Sequence, residues 1–148
     1  MLRFEVTSDK ARMDFDRVYR FLNEHSGWAK DIPHDLFVRA MGNALCFAGH
    51  LGGEQIAFAR VISDFATFAN LVDVFVEPEF RGQRYATRLL EAVFAHPDLQ
   101  GLRRFTLATR DAHGLYETFG FHAPALPETL MERYHPDIYR LPSGEGKS

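Results

Sequence analysis

Residues 71–93 read LVDVFVEPEFRGQRYATRLLEAV, and no other stretch restricts the fold of this chain so tightly. Leu71-Val72-Asp73-Val74-Phe75-Val76 is a short, nearly unbroken apolar and β-branched run, the pattern of a strand buried on both faces. Glu77-Pro78-Glu79-Phe80 ends it, because proline brings no N–H to a sheet ladder and fixes its own φ. A turn containing Arg81, Gly82, Gln83, Arg84, Tyr85 and Ala86 follows, and beyond Thr87 the apolar residues Leu89, Leu90 and Val93 recur at helical spacing. A strand that feeds a small-residue turn and a helix start aims several free backbone N–H groups at one point, with the positive end of the helix dipole behind them. That arrangement is an anion site, most often for phosphate.

The rest of the chain permits such a site in an ordinary soluble domain. At 148 residues, 46% hydrophobic and 25% charged, one packed domain over 1–141 is expected. The last residues, 142–148, have the composition of a frayed tail. A net charge of −3 leaves no basic stripe to neutralise a nucleic-acid backbone. The cations are nevertheless uneven, with Arg81, Arg84, Arg88, Arg103, Arg104 and Arg110 in the second half. Cys46 is the only cysteine, so no disulfide forms within the chain, and its apolar surroundings suit a small buried hydrophobe. The N-terminus has no long apolar segment, and nowhere do 18 apolar residues run together. The expectation is therefore a cytoplasmic protein without a membrane partner.

In chain order, residues 2–6 alternate as a first strand. From Asp14, a candidate N-cap, Phe15, Val18, Tyr19 and Leu22 mark a helical face. A loop over 28–33 precedes a second helix near His34 to Met41. Residues 45–51 and 55–62 are two strands joined at Gly52-Gly53, a two-residue hairpin signal. A return centred near Ala66-Thr67 then places Arg60 across from Asp73. After the helix that ends near His96-Pro97, residues 104–109 read as a strand and 112–119 as a helix stopped by Gly120. Residues 121–123 and 131–134 read as final strands. The predicted order is β-α-α-β-β-β-α-β-α-β-β, an α/β (α+β) fold with a mixed sheet of 6–7 strands flanked by about four helices.

Competing phosphate signatures are absent: no Lys-Ser or Lys-Thr pair completes a P-loop, and no G-x-G-x-x-G occurs. The seven histidines show no metal-ligand spacing, so no metal is expected. Two separated segments do match a known family. Residues 74–86, VFVEPEFRGQRYA, resemble the acetyl-CoA motif of the GNAT superfamily of N-acetyltransferases, a strand ending in V-x-P followed by Q/R-x-x-G-x-G/A. Some thirty residues on, Leu115-Tyr116-Glu117-Thr118-Phe119-Gly120-Phe121 resembles the family's second signature, L-Y-x-x-x-G-F. The element order is also similar to the family's fold over nearly the whole chain. One position departs: the fourth motif residue, usually glycine, is Arg84.

The resemblance implies an acetyl-CoA-dependent N-acetyltransferase acting by direct transfer on a primary amine, most simply of a small molecule, with a homodimer as the superfamily expectation. It implies that Val74, Phe75 and Val76 hold the pantetheine arm like an added strand and supply an oxyanion donor from the main chain. It further implies that residues 81–87 hold the pyrophosphate, that Asp111 and His113 approach CoA, and that Tyr116 serves as the acid near the sulfur. Tyr116 also has a packing reading, as an aromatic of the helix–sheet core. Asp73, the one charge inside the buried strand, has two open readings: it faces the acceptor amine as a base, or it pairs with Arg60. Asp64 and Glu77 stand in reserve. Trp28 and Phe65 are candidate acceptor contacts or closing residues of the core. Against the enzyme stands a binding module of the same fold that holds CoA without turnover, which Arg84 favours and Tyr116 with Asp73 disfavours.

Overall fold

The change of period at Asp14 marks a helix start. The Asp14 carboxylate accepts a hydrogen bond from the Arg17 amide at 3.0 Å, capping α1 over Phe15–His25. The buried Gln55 side chain clamps the backbone of Asp14 from both sides, accepting from its N–H at 2.8 Å and donating to its carbonyl at 3.2 Å. The start of α1 is thereby fixed to the sheet. In this computed structural model, which describes residues 2–140, α1 is followed by α2 over His34–Gly42. Both cover one face of the sheet, where Val18, Phe21, Leu22 and Phe37 pack with Phe58 and Phe75. Phe21 and Phe75 are stacked with ring centroids 3.8 Å apart.

The sheet has five strands in the order β1-β2-β3-β4-β5: Phe4–Thr7, Leu45–Leu51, Glu54–Ser63, Phe68–Val76 and Arg104–Leu107. The first four run antiparallel, and β5 joins β4 in parallel. Gly52 and Gly53 turn the β2–β3 hairpin with φ of 58° and 91°, values that carry no Cβ penalty only for glycine. The β4–β5 crossover is α3, Tyr85–Ala95, whose Leu89, Leu90 and Val93 are fully buried against the other face of the sheet. A short α4, His113–Glu117, packs on that same face through Tyr116. Burying each of these large side chains contributes roughly 1.5–3 kcal/mol, so the crossover is held firmly where its N-terminus meets the end of β4.

Three expectations are corrected. Residues 121–123 and 131–134 are not strands, so the described residues hold five strands rather than six or seven. The Phe121 amide donates to the Tyr116 carbonyl at 3.2 Å, and its ring packs on Phe94, Phe105 and Tyr116. The residue is thus committed to closing α4. Pro124, Pro127 and Pro136 then remove N–H groups that a ladder needs. The segment instead returns to the opposite face, where Tyr139 packs beside the α1–α2 core. There Arg140 pairs with Asp31 at 3.2 Å. The register of the β3–β4 hairpin also differs, because Arg60 lies across from Val72. The tail proposed over 142–148 lies outside the described residues.

Candidate active site

The register shift between Phe58 and Arg60 is a β-bulge, in which Asp73 and Val74 together face Ala59. Asp73 adopts the left-handed conformation there, with φ 54°, which aspartate tolerates better than most residues. The bulge resets the alternation of β4. Val72 and Asp73 both face a cavity on the α1–α2 side, while Val74 and Val76 face the α3 side and Phe75 the α1 side. It also frees an edge. β5 pairs only with Phe68–Leu71, and among the described residues nothing pairs with β4 on that side beyond Leu71. The Glu77 amide donates to the Ile56 carbonyl at 2.8 Å, so antiparallel alternation turns Phe75 toward β3 and the N–H groups of Val74 and Val76 toward the gap.

That gap leads to the start of α3. The amides of residues 82–87 have no acceptor among the described residues, and they ring the positive end of an eleven-residue helix. Arg84 is the residue at the helix N-cap, with φ 69°. The position therefore does require the left-handed backbone for which glycine is suited, and the arginine adopts it at a cost. Its guanidinium is exposed and makes no ion pair among the described residues, so it is available to an anion. Arg81 is tied down: its Nε donates to the Val76 carbonyl at 3.0 Å. Gly82, Gln83, Tyr85, Ala86 and Thr87 complete the turn, and the half-buried Tyr85 ring packs on Phe4. Arg88 points away, with a hydrogen bond to the Phe4 carbonyl and its guanidinium 4.9 Å from the centre of the Phe4 ring.

On the other side of β4 lies a cavity of about 560 Å³, bounded by α1, α2 and the 28–32 loop. Asp73 sits at its floor and only 6% of its side chain is exposed. Arg60 Nε donates to its Oδ2 at 2.7 Å and Trp28 Nε1 to its Oδ1 at 2.7 Å. The pairing alternative is thus realised, though a carboxylate has about four acceptor positions, so these two bonds do not exhaust it, and Asp73 still lines the cavity. Trp28 stands at the rim. The buried Ser26 hydroxyl links the Leu22 carbonyl to the Ala29 amide and so sets the turn that presents it. Phe65 is not brought in; it lies exposed in the β3–β4 turn and outside the cavity lining. The two reserve carboxylates are engaged elsewhere. Asp64 accepts from the amides of Ala66, Thr67 and Phe68 and the Thr67 hydroxyl, which hold its carboxyl well below the usual range. Glu77 pairs with Arg17 at 3.1 Å.

Tyr116 is buried on the α3 side, its ring edge-to-face with Phe121 at 6.1 Å. Its hydroxyl has no hydrogen-bond partner among the described residues, so its packing reading lacks the polar anchor such a tyrosine normally finds. Burial pushes its pKa up, which keeps it protonated and able to donate. Asp111 and His113 lie exposed where the chain leaves β5 for α4. Cys46 is fully buried, and burial pushes its thiol up to about 11. Among the described residues no three His, Cys, Asp or Glu side chains gather as a metal site, and no helix is long and apolar enough to cross a membrane. Sequence reasoning missed Arg39 and Tyr139, which line the cavity, since nothing in their local pattern sets them apart from surface residues.

Known proteins share this family pattern and this fold. The acetyltransferase (GNAT) domain profile matches residues 42–123, more than half of the chain. A GNAT-family protein of Xanthomonas campestris pv. campestris is 55% identical, with the likeness covering 95% of this chain and 99% of that one at a TM-score of 0.91. A Gibberella zeae protein assigned provisionally as an acetyltransferase is 29% identical over 75% of this chain and 74% of its own length. A predicted acetyltransferase of Clostridium acetobutylicum, whose crystal structure includes acetyl-CoA, shares the fold at 16% identity and a TM-score of 0.63, over 90% of this chain and 96% of that one. By profile, by sequence and by fold, this chain belongs to the GNAT family of acetyltransferases.

Proposed function

We propose that the protein transfers an acetyl group from acetyl-CoA to the primary amine of a small-molecule acceptor, directly and within a ternary complex. The observation that carries this reading is the continuity of two sets of unpaired backbone donors. The open edge of β4 past Leu71 leads straight to the free amides of residues 82–87. A pantetheine arm has amides spaced to add as a strand, and a pyrophosphate needs a cluster of N–H donors at a helix start. The Arg84 guanidinium adds a charge-assisted contact. Asp111 and His113, on the far side of the gap, are the remaining contacts we assign to CoA. The Clostridium acetobutylicum structure, with acetyl-CoA bound to the same fold, supports the choice of ligand.

The chemistry divides between the two faces of β4. An amine entering the cavity meets the free lone pairs of Asp73, which orient its N–H groups. It attacks as the neutral amine, so the proton it sheds leaves toward water at the open rim by Trp28. The main-chain N–H of Val74 or Val76 stands where the acyl oxygen gains charge. Tyr116, kept neutral by burial, gives its proton to the departing thiolate.

Turnover is tested by incubating the protein with acetyl-CoA and a panel of amines while free thiol is followed. Binding is tested separately by thermal unfolding. At a hundredfold excess over Kd, CoA contributes about 2.7 kcal/mol, which raises Tm by roughly 5–10 °C for a chain of this size. No shift with any acyl-CoA would overturn the ligand, whereas a shift without turnover would leave a CoA-binding module.

A further inference from the structure

The charges that line the cavity do not balance, and the imbalance identifies a property of the acceptor. Its charged lining consists of Arg39, Arg60 and Asp73, two guanidiniums against one carboxylate. Arg60 is more than four-fifths buried, and only its Nε is used, on Asp73. Neither Nη group has a partner among the described residues, and neither is cut off from solvent, since His50 Nδ1 is the one fully buried side-chain nitrogen without a partner there. The Nη groups are therefore reachable from the cavity. Arg39, an exposed residue of α2, also lines the cavity and makes no ion pair among the described residues. The remaining walls are largely apolar, with Leu22, Ile32, Leu36, Met41, Ile62 and Val72.

Resting on the reading of the site as an amine acetyltransferase, we infer that the acceptor carries a carboxylate as well as its amine, joined by an apolar body. The carboxylate is held between Arg60 and Arg39, and the amine is held by Asp73. An arginine fork matches the planar carboxylate, and the Nη donors of Arg60 are not taken up by Asp73. Charge decides between oxyanions. A monoanion brings the cavity to neutrality when the reacting amine is uncharged, while a doubly charged phosphate leaves an excess negative charge among apolar walls, where an unpaired charge is costly. The volume of about 560 Å³ lies within the range of small-molecule sites and leaves room for an apolar body between the two charged ends.

The experiment uses matched triplets: an apolar amino acid, its primary amide, and the amine lacking the carboxylate. It compares kcat/KM with acetyl-CoA and, independently of turnover, equilibrium binding by calorimetry in the presence of CoA. The carboxylate member is expected to bind and react at least tenfold better than its amide. Arg39→Gln is expected to shrink that ratio several-fold, chiefly through KM. Adding a phosphate-bearing amine distinguishes the oxyanions, and a preference for it overturns the carboxylate. Equal or better handling of the amide and the plain amine overturns the inference while leaving the acetyltransferase reading intact. CoA binding with no thiol release from any amine overturns the acetyltransferase reading; the calorimetric ratio then still decides whether the cavity selects a carboxylate.

Discussion

Arg84 sits where the backbone asks for glycine, and that conflict has a measurable size. Its φ of 69° places Cβ in the left-handed region, where an ordinary side chain costs roughly 1–2 kcal/mol. Replacing it with glycine removes that strain but gives the unfolded chain more freedom, which offsets about 0.4–1 kcal/mol. Arg84→Ala keeps the strain and loses the guanidinium, so it isolates the backbone contribution from the charge. The glycine variant is therefore expected to be more stable than the alanine variant by about 1 kcal/mol, which is roughly 2–4 °C in Tm. Glycine is also the better residue of the two at a helix N-cap, which adds in the same direction. CoA affinity should move the other way relative to wild type. Both variants lose one charge-assisted contact, worth about 1.5–3 kcal/mol where it is fully made, so Kd rises on the order of tenfold or more. Thermal unfolding without ligand and calorimetry with CoA read the two effects separately. Equal stability of the glycine and alanine variants would refute the strain, and unchanged Kd in both would refute the phosphate contact.

Three further outcomes follow from the same geometry. Tyr116→Phe keeps the ring against Phe121 and removes an unpartnered hydroxyl, so CoA binding should hold while kcat falls by about a hundredfold or more; unchanged turnover would remove the acid from the mechanism. Stability tied to the neutral Tyr116 is full below its unfolded pKa near 10 and is lost as pH rises through the higher folded value. The phenylalanine variant should therefore lack that part of the alkaline loss in a pH series of unfolding curves. Arg60→Met leaves the Asp73 carboxylate buried without its cation and should cost about 3 kcal/mol by denaturant midpoint. The double variant with Asp73→Asn should cost clearly less than the sum of the single ones; strict additivity would mean the pair at 2.7 Å contributes no coupling. Cys46, with its thiol near 11 and fully buried, should resist alkylation at pH 8 until the protein unfolds, and rapid labelling of the native state would place it at the surface.

Local chemistry made much of the fold legible. Asp14 caps α1 because its side chain reaches an amide three residues on, and Gly52-Gly53 turns a hairpin because only glycine takes both positive φ values freely. The strand–turn–helix of residues 71–93 is likewise written in short-range pattern, so the anion site at the start of α3 was readable. The strands expected at 121–123 and 131–134 failed for the opposite reason. Both are short segments with an aromatic residue, but whether such a segment forms a strand depends on a partner edge, and Phe121 found an aromatic cluster instead. Phe65 failed in the same way, since an aromatic in a turn carries no mark of which face it will meet.

The sequence by itself determined the family, the order of elements as far as α4 and the place of the phosphate cradle, because those rest on backbone preferences and motifs a few residues long. Only the tertiary structure decided how Asp73 is used. One extra residue in β4 puts it at a bulge, turns it toward Arg60 and Trp28, and opens the edge beside it. That is a consequence of register between strands, and register is set by the packing of both faces of the sheet at once. The cavity on the far side, with Arg39 and Arg60 exceeding Asp73 in charge, has the same origin: its walls come from three separate parts of the chain that meet only when the core closes.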